Sequence, residues 1–292
     1  MYINSKSGKI FDVLNAILMI MISLICLYPL LYVLFASLSD PSLLTAHRGA
    51  LIAPLGGTID GYKLVLANPN IRSGFINTVI NLVLGTFLNV VATCIAAYLV
   101  SRVQWMWSGT IMKMFTIHMF FNGGMIPFYL LVQQLGLINT RASLVIPGMI
   151  VVWNLILLRT SFRDVPDALI ESARIDGAGE FRILWNIVVP VCKAAIAVQV
   201  LYYAVGHWNA WFNASIFLRD RSLYPLQLIL REILISNDMQ SMQASQNATE
   251  IDNYRVLTKY CVVIVSTVPI LVIYPLLQKY FVKGVMLGSI KG

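Results

Sequence analysis

Residues Pro166–Pro190 read PDALIESARIDGAGEFRILWNIVVP. Asp167, Glu171, Arg174, Asp176, Glu180 and Arg182 crowd into this stretch, although only 12% of the 292 residues are charged. Asp164 can cap a helix whose first turn holds Pro166, a position where the missing N–H costs nothing. Leu169, Ile170 and Ala173 then share one side, and Asp167, Glu171 and Arg174 another. Gly177 ends that helix, because glycine accepts the left-handed backbone of a helix C-terminus. Phe181, Leu184, Trp185 and Val188 follow at i, i+3, i+4 and i+7 and predict a second short helix, and Pro190 opens the next apolar run. The expected product is an amphipathic helix–turn–helix plug. Its small turn residues, Ser172-Ala173 and Gly177-Ala178-Gly179, let another protein come close; an ordinary interfacial loop is the plainer alternative.

The surroundings of this stretch are very different. The chain is 58% hydrophobic with a mean hydropathy of +0.76, against about half apolar and a quarter charged in soluble domains. Six apolar runs are long enough to cross ~30 Å of hydrocarbon as helix. They lie at about 11–38, 75–100, 110–132, 142–162, 188–213 and 259–282. This predicts an all-α, six-helix integral membrane protein with a single transmembrane domain over residues 1–292. The first run is longer than a signal peptide's apolar region and has no small-residue cleavage site, so a retained helix is expected. Lys6, Lys9, Arg102, Arg159, Arg163, Arg174, Arg182, Lys279, Lys283 and Lys291 fall on one side if both termini are cytoplasmic, as the positive-inside rule asks. The loop 163–190 is then cytoplasmic, and the longer loops 39–74 and 214–258 face outward. The second of these opens with YPLQLILREIL, an amphipathic piece expected at the interface, and continues as a polar stretch.

Several chemistries are excluded. The net charge of +8 comes from Lys and Arg scattered at the edges of apolar runs, which suits lipid headgroups and topology rather than nucleic acid. Cys26, Cys94, Cys192 and Cys261 lie in or beside apolar runs without CxxC pairing and read as small buried hydrophobes. No phosphate-binding GxxxxGK[ST] loop or HExxH zinc motif occurs. His47, His118 and His207 are far apart, so neither a metal site nor a catalytic cluster is expected. Asp12 lies near the start of the first run, and every other carboxylate lies in a loop or at its edge. That distribution weighs against a proton relay through the bilayer, where such residues are costly and kept for function. Sodium coupling through backbone carbonyls stays open.

Polar residues inside the runs are few. Asn77, Asn81, Gly85 and Asn89 recur every four residues and form one slowly turning stripe. Such a stripe is either a helix–helix seam with amide hydrogen bonds or the lining of a translocation path. In GHWNAWFN (Gly206–Asn213), Trp208, Trp211 and Phe212 accompany Asn209 and Asn213. They form an interfacial aromatic belt, or aromatic faces and amides suited to a sugar.

The plug carries a resemblance to a known family. Permease subunits of binding-protein-dependent ABC importers share a cytoplasmic signature: E-A-A, glycine six residues after the Glu, then I and L-P. Glu171-Ser172-Ala173, Gly177, Ile187 and Val189-Pro190 match it in spacing, with Ser172 and Val189 as departures. The longer pattern P-x-x-L-x-E-[AS]-A-x-I-D-G-A and Trp208-Asn209 resemble the carbohydrate-uptake branch. Asn77-Thr78 resembles the opening of the second helix in these permeases. FFNGGMIPFYLL (Phe120–Leu131), Gly136–Thr140 and the terminal KGVMLGSIKG look like the subgroup serving oligosaccharides, often uronate-containing ones.

The resemblance implies the type I importer permease fold in a bacterial inner membrane. It implies a second homologous permease, two ABC ATPase subunits that bind ATP and Mg, and an external solute-binding protein that delivers the carbohydrate. This chain would then be a transport subunit, not an enzyme, with no cofactor of its own. Glu171, Ser172, Ala173, Asp176, Gly177, Ile187 and Pro190 would couple to an ATPase groove. The plug would move with that groove as a rigid body in an alternating-access transition. Asn77, Asn81, Asn89, Trp208, Asn209 and Trp211 would be the substrate-path residues. Gln240, Gln243 and Gln246 would meet the binding protein. The competing class is a secondary transporter or channel that works without an ATPase.

Overall fold

The computed structural model describes residues 6–272 except 103–104, 122 and 242–252. Gln243 and Gln246, the end of the sixth run and the terminal KGVMLGSIKG lie outside the described residues, and Gln240 is described by its backbone alone. Every regular element described is helical, as the apolar runs predict. Three helices, Gly8–Ser37, Pro69–Ser101 and Asn253–Val272, are long and apolar enough to cross a membrane. A fourth is added if Glu180–Val191 and Lys193–Trp208, bent by 89°, count as one span.

The chain divides into two compact units. The first comprises residues up to Pro69 together with Glu232–Val268. It contains α1 (Lys6–Ser37), α2 (Pro41–Ala46) and α3 (Asp60–Ala67). The 39–74 loop is irregular with short ordered pieces, as its prolines and glycines suggest. Asp40 caps α2 by accepting from the N–H groups of Ser42 and Leu43, the ordinary role of an N-cap carboxylate. The loop is tied back to α1: Asp40 N–H donates to Leu55 O (2.7 Å) and Thr58 N–H to Leu38 O (2.9 Å). Leu51 N–H donates to the Tyr28 hydroxyl at 3.1 Å. Gly61 allows close packing here, since a Cβ there would stand 2.6 Å from Cys261 Sγ. From Ile10 to Leu30, by contrast, α1 leaves its large side chains exposed, a surface made for hydrocarbon or another protein.

The second unit, which among the described residues comprises Asn70–Arg231 and Pro269–Val272, is organised around α4 (Pro69–Ser101). α5 (Ser108–Phe120), α6 (Met125–Gln134) and α7 (Val152–Arg163) follow it. After the plug helices α8 (Asp167–Ile175) and α9 (Glu180–Val191) come α10 (Lys193–Trp208), α11 (Phe212–Phe217) and the start of α12 (Leu226–Ser241), which from Glu232 onward belongs to the first unit. The last helix, α13 (Asn253–Val272), returns to the first unit for most of its length.

Two of the apolar runs are not single continuous helices. The 110–132 run breaks between α5 and α6, where Gly124 has φ +88°. The 142–162 run is a 3-10 turn (Arg141–Leu144), irregular backbone, and only twelve residues of helix in α7. Pro147 and Gly148 lie in that irregular part and disfavour helix. Irregular backbone in an apolar setting needs partners within the protein. Asn89 Nδ2 supplies one to Gly148 O at 3.3 Å. The Tyr203 hydroxyl supplies another to Val151 N–H at 3.2 Å, while also bonding Thr93 Oγ1 at 2.7 Å. In α12, Leu226, Leu228, Ile229 and Leu230, the apolar side of the expected amphipathic piece, are buried in protein.

Candidate functional site

The plug has the expected two helices around a glycine turn, with different caps. α8 begins after Pro166 without a side-chain cap, and Asp164 instead terminates α7. The distinction follows from Pro166: its extended ψ of 130° already separates the two helices, leaving Asp164 on the far side. Gly177 has φ +81°. Gly177 N–H donates to Arg174 O at 3.0 Å, and Ala178 N–H to Ala173 O at 2.9 Å. These are the two bonds of a Schellman motif, and they depend on the left-handed residue between them.

α9 is wound as a π-helix over Leu184–Val188. Pro190 has no N–H and its ring presses on the carbonyl four residues back, so a widened turn just before it relieves the clash. The extra residue rotates the helix face. Ile183, Leu184 and Val188 are buried, while Phe181 is 69% exposed, contrary to the regular i, i+3, i+4, i+7 face. The helix also runs past Pro190 and breaks at Cys192 (φ −93°, ψ 21°).

The buried side of the plug, Ile170, Ala173, Ile183, Leu184 and Val188, forms one core with Cys94, Ala97 and Tyr98 of α4 and Leu155, Leu158 and Phe162 of α7. Ala173 therefore lets α8 lie close to its own protein. Leu169 turns outward instead, 45% exposed. Glu171, Ser172, Asp176, Gly177 and Pro190 are exposed, and Ile187 is half-buried. A Cβ at Gly177 or Gly179 would meet nothing within 4 Å. Ile175, at 86% exposure, and Phe181 flank this open turn.

The α4 stripe forms a polar seam. Asn77 Nδ2 donates to Ser222 O (2.6 Å) and Tyr224 O (3.0 Å). Arg141 donates to Asn77 Oδ1 (2.7 Å) and more weakly to Asn81 Oδ1 (3.4 Å). Thr78 Oγ1 accepts from Leu226 N–H at 2.8 Å, and a Cβ at Gly74 would stand 2.5 Å from Ile229 Cδ1. At Gly85, a Cβ would stand 2.5 Å from His207 Nε2. Asp220, which holds the turn carrying Ser222, has its carboxyl lowered from the usual range by hydrogen bonds from the Ser222 backbone and side chain.

Asn77 and Asn81 are thus joined through Arg141, while Asn89 bonds elsewhere. Among the described residues, Asn81 Nδ2 and Asn89 Oδ1 are buried without a hydrogen-bond partner. Trp208 is buried edge-to-face on Phe75 with centroids 6.0 Å apart. Asn209 ends α10 in an exposed position. Trp211 lies under the Arg231 guanidinium, 4.2 Å from its carbon. Near these residues, His118, Met125, Phe128, Phe212, Asn213 and Phe217 line part of a groove of about 410 Å³. Sequence reasoning missed Arg141, Tyr203 and Tyr98, whose hydroxyl donates to Glu180 Oε2. Arg141 carried a signal, a cation directly before an apolar run, but its partners are at least 60 residues away.

Protein LplC of Bacillus subtilis (strain 168) is 35% identical over 291 residues, covering 99% of this chain and 97% of the relative. The polygalacturonan/rhamnogalacturonan transport system permease protein YtcP of the same organism is 34% identical, covering 98% and 99%. A crystal structure of a bacterial ABC transporter involved in the import of the acidic polysaccharide alginate superimposes with a TM-score of 0.88 at 29% identity. It covers 96% of this chain and 100% of that one, so the fold is that of an ABC importer permease. The match to the family described as binding-protein-dependent transport system inner membrane component runs over residues 1–287, and the chain belongs to that family.

Proposed function

We propose that the chain is one of two transmembrane subunits of an ATP-driven importer. It passes an oligosaccharide of the uronate-containing class from an external solute-binding protein into the cytoplasm by alternating access. It spans a bacterial inner membrane six times with both termini cytoplasmic. ATP and Mg are held by two ATPase subunits, and the plug seats in a groove on one of them.

The observation that carries this reading is the Schellman turn at Gly177, in register with the signature and open on its outer side. Exposed apolar side chains at Ile175 and Phe181 beside that turn are costly in water and suit a protein groove. The acidic substrate class is suggested by YtcP and by the alginate transporter. Along α4, the buried amide atoms of Asn81 and Asn89 without partners suit transient hydrogen bonds to water or hydroxyls, because unpaired buried polar groups cost about 1–3 kcal/mol each. Packing and path are compatible in this seam: Asn77 holds it together, and Asn81 and Asn89, buried in this conformation, would meet the substrate when the seam opens.

The test is reconstitution with the sister permease, the ATPase and the binding protein. Uronate oligosaccharides loaded on the binding protein should stimulate ATP hydrolysis, and uptake should require the ATPase. Uptake sustained without any ATPase would establish the secondary-transporter alternative instead.

A further inference from the structure

The signature assigns no role to Glu180, yet Glu180 is the residue at which the two plug helices and α4 meet. One carboxylate oxygen, Oε1, accepts from Arg174 Nε at 2.9 Å, and Arg174 Nη2 lies 2.8 Å from the same atom. The other, Oε2, accepts from the Tyr98 hydroxyl. Tyr98 belongs to α4 and is only 4% exposed. Its ring also carries the Arg102 guanidinium, 4.9 Å from the centroid, and Arg102 reaches Asp167 at the start of α8 at 3.7 Å.

A partly exposed ion pair alone contributes little. Here the buried tyrosine fixes the carboxylate, so Arg174 finds its acceptor already oriented. The pair also closes a loop over Gly177 and Gly179, whose surroundings are open. Glycines give that turn backbone freedom, and the Arg174–Glu180–Tyr98 chain takes it away.

We infer that Glu180 is a positioning residue that braces the glycine turn and locks the plug to the end of α4, so that plug and α4 move as one piece. This rests on the importer reading above. With the brace removed, the plug still seats on the ATPase, but the turn flexes and ATP is spent without transport.

The test uses the assembled complex. Glu180→Gln keeps the shape and an acceptor for Tyr98 while removing the charge that holds Arg174, and Tyr98→Phe removes the other link. Each should lower sugar taken up per ATP hydrolysed by threefold or more, with subunit stoichiometry and ATPase activity retained, and the double variant should be no worse than the stronger single one. A second readout needs no transport. Spin labels on Leu99→Cys and Ile175→Cys, with the native cysteines replaced, should give one narrow distance distribution in nucleotide-free and ATP-trapped complexes. Glu180→Gln should broaden it. An unchanged uptake-to-ATP ratio with an unchanged distribution overturns the brace. So does a proportional loss of uptake and ATPase activity, which marks simple misfolding. If the wild-type complex shows no ATP-driven uptake while the distribution still broadens in Glu180→Gln, the importer reading fails and the brace survives.

Discussion

Replacing Asn77 with leucine separates the two roles the α4 seam can play. The substitution nearly preserves volume and removes three hydrogen bonds: to Ser222 O, to Tyr224 O and from Arg141. Two neutral bonds at about 1 kcal/mol each and one to a charged group at about 2 kcal/mol give a loss of about 4 kcal/mol. Asn89 makes a single long bond to Gly148 O, so Asn89→Leu should cost about 1 kcal/mol by the same scale. The assay is thermal unfolding of the purified protein in detergent, paired with uptake by the complex. Asn77→Leu should unfold at clearly lower temperature than Asn89→Leu. Asn89→Leu should lose uptake out of proportion to its small stability change. If Asn77→Leu is as stable as the wild type, or Asn89→Leu is the more damaged fold, the division of the seam into clasp and path is wrong.

Four further outcomes are expected. Gly177→Ala adds a Cβ at φ +81°, so it should cost about 1–2 kcal/mol of left-handed strain, read as a lower melting temperature. Gly177→Pro cannot adopt that φ and loses the bond to Arg174 O; it should separate ATP hydrolysis from uptake, as should the exposed charge reversal Glu171→Lys, and normal coupling in both would refute the docking role. Gly85→Val drives a Cβ into the His207 ring and should destabilise by about 1–3 kcal/mol through overpacking, with partial rescue by His207→Ala in the same melting assay. A small, membrane-permeant maleimide applied to the native protein in detergent should label Cys26, which no protein covers, faster than Cys94, Cys192 and Cys261, which are buried in protein; equal labelling of all four would contradict the packing.

Local chemistry was legible in the sequence where one residue type forces one geometry. Gly177 is the clearest case, because a left-handed helix end asks for glycine and the flanking pattern places it. The long apolar runs of α1 and α4 were legible for a similar reason, since hydrocarbon length sets helix length. The interrupted spans were not. Hydropathy reports how apolar a stretch is, not whether neighbours satisfy its backbone, and the side chains that allow irregular chain at 145–151 are Asn89 and Tyr203, more than 50 residues away. The π-turn escaped for a subtler reason: Pro190 announces a disturbance, but whether the helix kinks, stops or widens depends on what it packs against. Tyr98, Arg174 and Glu180 looked like separate polar residues, and only the fold brings them together.

The break at Cys192 has a mechanical meaning. Two helix axes meeting at 89° share almost no common direction, so a displacement along α9 has next to no component along α10. A thrust from the plug therefore cannot ram α10 through the bilayer like a piston, which would drag its polar ends into hydrocarbon. Under the proposed coupling, it would arrive as a torque that swings α10 about its plug-side end. Tilt is the deformation a spanning helix tolerates most readily, at fractions of a kcal/mol per Å of mismatch. If the proposed importer reading holds, the right-angle joint would turn whatever the plug receives into tilt of α10 rather than translation along its axis.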